Sequence, residues 1–276
     1  MKSVKGKVAL ITGGALGMGK EVAKLFAKDG AKIVLWDLRE EDLSKAAEEL
    51  RGLGAEVHTY VCDVTKRDMV YETAEKVKKE VGFVDILDNN AGIVFGGPLW
   101  EVDDEKLFKT IDVNVNGIIW CTKAFLPDMM ERNEGHIIMM ASAAGLLGVP
   151  GLAAYCASKH AVIGLSDSLR VELKKIGKTG IKITIVCPSF VKTGMFEGVK
   201  PPLLNPWLTP EGMAKKIYNA VLKEKPYVLE PFIVKTVPFL KGISTTAVMD
   251  WVGGVLGMHK SMDTWIGRQD QEKYLK

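Results

Sequence analysis

Short apolar runs alternate with longer stretches of helical period along the first two thirds of the chain. The runs are VALIT (8–12), KIVLW (32–36), EVHTYV (56–61), VDIL (84–87), HIIMMAS (136–142) and IKITIVC (181–187). Most are near-continuously apolar and rich in β-branched residues, the pattern of strands covered on both faces. Between them, 40–52, 66–81, 101–131 and 152–176 carry apolar positions at helical spacing; EEDLSKAAEEL shows an apolar stripe and a charged outer face. This alternation predicts βαβ units and an α/β fold, a doubly wound parallel sheet with helices on both faces. No internal repeat or low-complexity linker divides the chain, so residues 1–276 are expected to form a single domain.

After Cys187 the texture changes. Pro188, Pro201, Pro202, Pro206 and Pro210 make 188–210 a loop-rich stretch in which a regular helix is hard to sustain. A helix over 211–224 and a short strand near Tyr227–Leu229 are expected to follow. The tail from Pro231 to Met258 is apolar but punctuated by Lys235, Pro238, Lys241 and Asp250. Residues 200–276 hold 11 Lys and Arg against 7 Asp and Glu, although the whole chain carries only +3. A basic, apolar tail suits a substrate lid, a subunit contact or a peripheral contact with a membrane surface.

Composition adds mainly exclusions. With 276 residues, 47% hydrophobic and 26% charged, the chain can bury a sizeable core. The small net charge and the lack of a basic patch interleaved with aromatics give no reason to expect nucleic acid. Cys62, Cys121, Cys156 and Cys187 are scattered, so neither a metal site nor a disulfide framework is expected, and a reducing compartment is the default. The opening MKSVKGKVALITGG breaks into glycine too soon for a signal peptide, and no run of 18 apolar residues offers a spanning helix. The expectation is a cytoplasmic protein, at most peripheral to a membrane.

The first strand runs into TGGALGMG (12–19), where Gly13, Gly17 and Gly19, with Leu16 and Met18 among them, mark a sharp turn into a helix. Glycines here let the backbone turn and let a pyrophosphate approach outward-pointing amides at the helix N-terminus. The spacing is G-x-x-x-G-x-G, not the general G-x-G-x-x-G, and three glycines in a tight turn is the plainer alternative. Asp37 closes the second strand. A carboxylate there would accept hydrogen bonds from the adenosine ribose and repel a 2′-phosphate, which predicts NAD over NADP; an N-cap for the next helix is its other reading. Arg39 is the nearby cation that could soften this preference. Asp63 and Val64 end the third strand, placed for an adenine amino group and ring. Asn90, Ala91 and Gly92 in DNNAG end the fourth, a turn small enough for close approach to a cofactor.

A second constellation follows the fifth strand. Ser142 ends it, Tyr155 comes 13 residues later, and Lys159 follows one helical turn on. Residues four apart share a helix face. A free phenol has a pKa of about 10, and an adjacent ammonium favours the phenolate, which suits it to proton transfer near neutrality. Ser142 would hold the reacting oxygen. Asn114, an unfavourable mid-helix residue, could distort its helix and hold a water linking Lys159 to solvent; two exposed helix asparagines, Asn114 and Asn116, is the alternative. His136 and His160 have no evident partner.

Taken in order, T-G-x-x-x-G-x-G, N-N-A-G, the Asn and S-x12-Y-x3-K resemble the short-chain dehydrogenase/reductase family over roughly residues 5–195. That resemblance implies a Rossmann-type, seven-stranded parallel sheet, a nicotinamide cofactor, and interconversion of an alcohol with its carbonyl. It implies catalytic roles for Asn114, Ser142, Tyr155 and Lys159, and places Pro188, Val191 and Thr193 at the cofactor. Residues 1–187 would then be the cofactor-binding and catalytic core, and 188–276 the substrate loop, lid and C-terminal extension. Homodimers or homotetramers through 101–130 and 152–176 are common in the family. VLWD and CPSFVKTGM look like the branch containing retinol and 17β-hydroxysteroid dehydrogenases, which implies a lipophilic substrate: a retinoid, steroid, long-chain or aryl alcohol. Met195, Phe196, Leu203, Leu204, Trp207 and the tail would form an apolar pocket. Ser189 departs from the family's glycine, and Asp88 stands where an apolar strand residue is expected. A 3-oxoacyl-type reductase using NADPH and a non-catalytic nucleotide-binding scaffold are the alternatives.

Overall fold

A computed structural model describes residues 1–268. The apolar runs become β1 (Val8–Thr12), β2 (Lys32–Asp37), β3 (Val57–Val61), β4 (Ile86–Asn89), β5 (Gly135–Met140), β6 (Ile181–Pro188) and β7 (Tyr227–Glu230). They form one seven-stranded sheet in the order β3-β2-β1-β4-β5-β6-β7, every pair parallel. The order reverses between β1 and β4, and an open parallel sheet binds ligands in the crevice beyond its strand ends at such a reversal.

The helices lie on both faces. On one side α1 (Gly17–Lys28), α2 (Glu40–Arg51) and α7 (Pro210–Leu222) enclose Ile11, Val22, Phe26, Leu35, Leu50 and Ile217. On the other, α3 (Arg67–Glu80), α5 (Gly117–Arg132) and α6 (Ala153–Lys175) enclose Trp36, Val77, Phe125, Met129 and Val162. Each sheet face is thus dry, which explains the unbroken apolar strands.

The helical pattern at 101–131 proves discontinuous. α4 (Asp104–Ile111) passes into a π-helical turn, Asp112–Asn116, before α5. The fully buried Asn114 sits in that turn, in line with the distortion expected of it. The tail holds two helices that its irregular pattern did not suggest, α8 (Phe232–Ile243), with Pro238 inside it, and α9 (Thr246–Val255). No helix among the described residues is long and apolar enough to cross a membrane. The last residues of the extension expected to run to 276 lie outside the described residues.

Candidate active site

The crevice at the strand reversal is a cleft lined by Gly13, Leu16, Gly17, Met18, Asp37, Asp63, Val64, Asn90, Ala91 and Gly92 at one end. Ser142, Tyr155, Lys159, Pro188, Val191 and Thr193 line the other end. Its empty space is about 1170 Å³ including the mouth, enough for a dinucleotide.

Two glycines of this turn have positive φ. Gly13 has φ +61° and a Cβ there would stand 3.0 Å from the Ala91 Cα; Gly17 has φ +55° and faces Thr193 Cγ2 at 3.4 Å. Both open the cleft floor in front of the first amides of α1, which has no acidic residue in its first turn. Gly19 behaves differently: it does not line the cleft, and a Cβ on it would lie 2.5 Å from Asn90 Nδ2. Close packing of helix on strand end, not approach of a ligand, demands glycine there. Asn90 Nδ2 donates to the carbonyls of Thr12 (2.9 Å) and Gly13 (3.0 Å), and Thr12 Oγ1 accepts from the amides of Asn90 and Ala91. The turn after β4 is therefore stapled to the turn after β1. Thr12 is a contributor that the motif reading passed over.

Asp37 ends β2 with its carboxylate accepting from the amides of Ala15 (3.2 Å) and Leu38 (2.8 Å). Burial raises its pKa, partly offset by those amides. It is not the cap of α2, whose N-cap is Arg39, and Arg39 pairs with Asp42 at 2.6 Å. Asp63 accepts from the amide and hydroxyl of Thr65 (2.9 and 2.7 Å) and stands 3.9 Å from Lys109. Lys109 and Arg268 also line this cleft, and no motif marked them. These features fit a nicotinamide dinucleotide: a floor open only because Gly13 and Gly17 lack side chains, the first amides of α1 for phosphate, and a carboxylate for ribose.

At the reacting end Tyr155 and Ser142 are both buried, and the Ser142 hydroxyl donates to the Pro188 carbonyl at 3.3 Å. Burial pushes the phenol's pKa up, while the Ser142 hydrogen bond works against it. Burial also pushes Lys159 down, to about 8. Its Nζ donates to the Met140 carbonyl at 2.7 Å and lies 5.6 Å from the Tyr155 ring centroid. Desolvation is the largest influence on both groups.

Asn114 does not line the cleft. Its amide clamps Ile93, accepting from the Ile93 N–H and donating to its carbonyl at 2.9 Å each, and donates to Ser158 Oγ at 3.1 Å. Ser158 in turn donates to the Tyr155 carbonyl, so Asn114 grips the turn carrying Tyr155 and Lys159. A Cβ built on Gly92 would stand 3.4 Å from Asn114 Oδ1 and 3.6 Å from Lys159 Nζ, so both groups surround one glycine. Asn116 only bonds Asp112 on its own helix. His136 is buried against Thr184 Oγ1 and pushed down to about 4 by desolvation, and neither it nor His160 lines the cleft.

The family model for short chain dehydrogenases matches residues 7–203. The chain belongs to the short-chain dehydrogenase family. It is therefore an oxidoreductase acting on CH–OH groups, with a nicotinamide cofactor. This short-chain dehydrogenase is similar to epidermal retinol dehydrogenase 2 of Mus musculus, 43% identical over 97% of this chain and 88% of that one. It is also similar to estradiol 17-beta-dehydrogenase 11 of Pongo abelii, 44% identical over 87% and 78%. A solved short chain dehydrogenase/reductase from Burkholderia phymatum in complex with NAD superposes with a TM-score of 0.80. It is 32% identical, over 88% of this chain and 95% of that one.

Behind the phenol lies a second cleft, whose empty space including the mouth is about 990 Å³. Its walls are mostly apolar: Leu147, Leu152, Phe190 and Phe196 from the core side, with Val237, Leu240, Val252 and Leu256 from the tail. Ser142 and Tyr155 line both clefts. Of the residues expected to form a greasy pocket, Phe196 and Leu203 line this cleft, whereas Leu204 is exposed with φ +62°. Trp207 packs on Phe190 behind the wall, at 6.0 Å between ring centroids.

Proposed function

We propose that the protein oxidises a lipophilic alcohol, of retinoid, steroid or long-chain type, with NAD. The observation that carries this reading is the shared wall: Ser142 and Tyr155 face the dinucleotide-sized cleft on one side and the apolar cleft on the other. The relatives' retinol and estradiol activities support the same substrate class. When bound, NAD supplies the hydride acceptor. Ser142 holds the alcohol oxygen, and Tyr155 as phenolate takes the hydroxyl proton. Lys159, cationic below pH about 8, stabilises that phenolate. Asn114 holds the helix turn on which both groups ride, and Gly13, Leu16, Gly17, Met18, Asp63, Val64, Asn90–Gly92, Pro188, Val191 and Thr193 seat the dinucleotide.

The Asp37 carboxylate, free of the N-cap role, supports NAD over NADP, and the Arg39–Asp42 pair supports it further by engaging the nearby cation. Residues from 188 onward would serve as substrate loop and lid. Exposed Phe239, Ile243, Trp251 and Val255, with Lys235 and Lys241 nearby in sequence, support a peripheral lipid contact. Exposed Phe108 on α4 and Val171 on α6 support subunit pairing there. The test is NADH formation from NAD with retinol, steroid, long-chain and aryl alcohols. Turnover on a lipophilic alcohol with higher kcat/KM for NAD than NADP is expected; silence across the series, or an NADP advantage, would contradict the reading.

A further inference from the structure

The apolar cleft contains four polar side chains besides Ser142 and Tyr155: Ser189, Asn205, Thr236 and Ser261. Two are already committed locally. Thr236 Oγ1 donates to the Ile233 carbonyl at 2.7 Å, and Ser261 Oγ to the Met258 carbonyl at 2.8 Å. Ser189 and Asn205 differ. Asn205 Nδ2 donates to Ser189 Oγ at 2.6 Å, while Asn205 Oδ1 is buried with no hydrogen-bond partner among the described residues.

A buried amide oxygen without a donor is disfavoured, because desolvation is not offset by a bond, and such a group calls for an explanation. The loop itself offers none. Ser189 is fixed at the end of β6, its amide donating to the Glu230 carbonyl at 2.8 Å, and it lines both clefts, so the pair sits close to the reacting phenol. The family's glycine at this position would provide no hydroxyl to hold the asparagine.

We propose that Asn205, held by Ser189, binds a second hydroxyl on the substrate, so that the preferred alcohol is a lipophilic diol or hydroxylated alcohol. This rests on the apolar cleft being the alcohol site. A hydroxyl suits the position whichever way the amide is turned, since it donates to the carboxamide oxygen or accepts from its nitrogen. The surrounding apolar wall has no competing partner to offer, so a substrate lacking the group leaves the amide unpaired in the complex. Discrimination between otherwise matched substrates follows from that loss.

The experiment compares kcat/KM for a long-chain monoalcohol with a series of diols of equal length, the second hydroxyl moved stepwise away from the reacting end. It uses the wild type, Asn205→Leu and Ser189→Ala, with NADH affinity by fluorescence as a control for folding. In the wild type, one diol should exceed the monoalcohol by about tenfold, expressed in KM. Asn205→Leu should erase that ratio with NADH affinity kept, and Ser189→Ala should reduce it. If no diol is preferred, or if Asn205→Leu changes both substrates in equal proportion, the proposal is overturned while the dehydrogenase reading stands. If the wild type oxidises no member of the series, both fall.

Discussion

The cleft running from Gly13 to Lys159 and the cleft running from Tyr155 to Met258 share a wall but are built in opposite ways. The first is made of strand ends and the turns that follow them, locked together by hydrogen bonds such as those of Thr12, Asn90 and Asn114. The second borrows one side from the core and closes the other with α8, α9 and a proline-rich loop, whose outer surfaces expose Phe232, Phe239 and Trp251. Fixed strand ends suit a part of the reaction that stays the same from one alcohol to another. A wall of tail helices suits the part that must fit a particular molecule, because loops and helices can change without disturbing the sheet.

The sharpest way to break the first cleft alone is Gly13→Val. The backbone there has φ +61° and the Ala91 Cα stands 3.0 Å from the new Cβ, so NADH affinity should fall by about 100-fold or more. Fluorescence titration checks this, with circular dichroism to show that the sheet survives. The matching attack on the second cleft is Val252→Asp on α9. A carboxylate on an apolar wall should lower kcat/KM for a long-chain alcohol by about tenfold to 100-fold, while NADH affinity stays within about twofold. Loss of both together would mean the clefts are not separable. A smaller effect is expected from Asp37→Ser, which should shift the NAD-to-NADP ratio of kcat/KM by about tenfold toward NADP.

The remaining prediction concerns stability. Asp88 lies on β4 beside Ile11 and Ile138 of its neighbours, fully buried, with neither carboxyl oxygen hydrogen bonded among the described residues. Desolvation pushes its pKa up to about 8. Between an unfolded value of about 4 and the folded one, the native state holds a proton that the unfolded chain has released. Its contribution therefore falls as pH rises across that window, by up to about 1.4 kcal/mol per unit, and levels off above pH 8. Asp88→Val should raise Tm by about ten degrees or more at pH 8 and by only a few degrees at pH 5; an equal rise at both would show that ionisation is not the cause.

The same contrast governs what the sequence made legible. Strands such as VALIT and IKITIVC appear at the expected positions because a parallel sheet needs unbroken apolar runs, and the run itself is the signal. Asn114 was readable because a poor helix former in a long helix must have a reason, although its partners, Ile93 and Ser158, come from elsewhere in the chain. Gly19 looked like Gly13 and Gly17 but serves packing against Asn90, a difference of neighbours that spacing does not encode. Lys159 beside Tyr155 suggested a lowered phenol pKa, whereas burial dominates both groups. The helix expected over 211–224 and the strand near Tyr227–Leu229 are present as α7 and β7, but beyond Pro231 the pattern failed, because α8 and α9 are apolar on faces that line a cleft and on faces that meet solvent. The period of a helix is lost when both sides are greasy.

The account centres on one phenol serving two clefts, and Tyr155→Phe tests it most directly. The substitution keeps the ring packed edge-on to Phe196, at 6.0 Å between centroids, and removes only the hydroxyl. Measured together, alcohol oxidation should fall by about 100-fold to 10,000-fold in kcat while NADH affinity stays within about twofold. Turnover near the wild-type rate with intact NADH binding would contradict it.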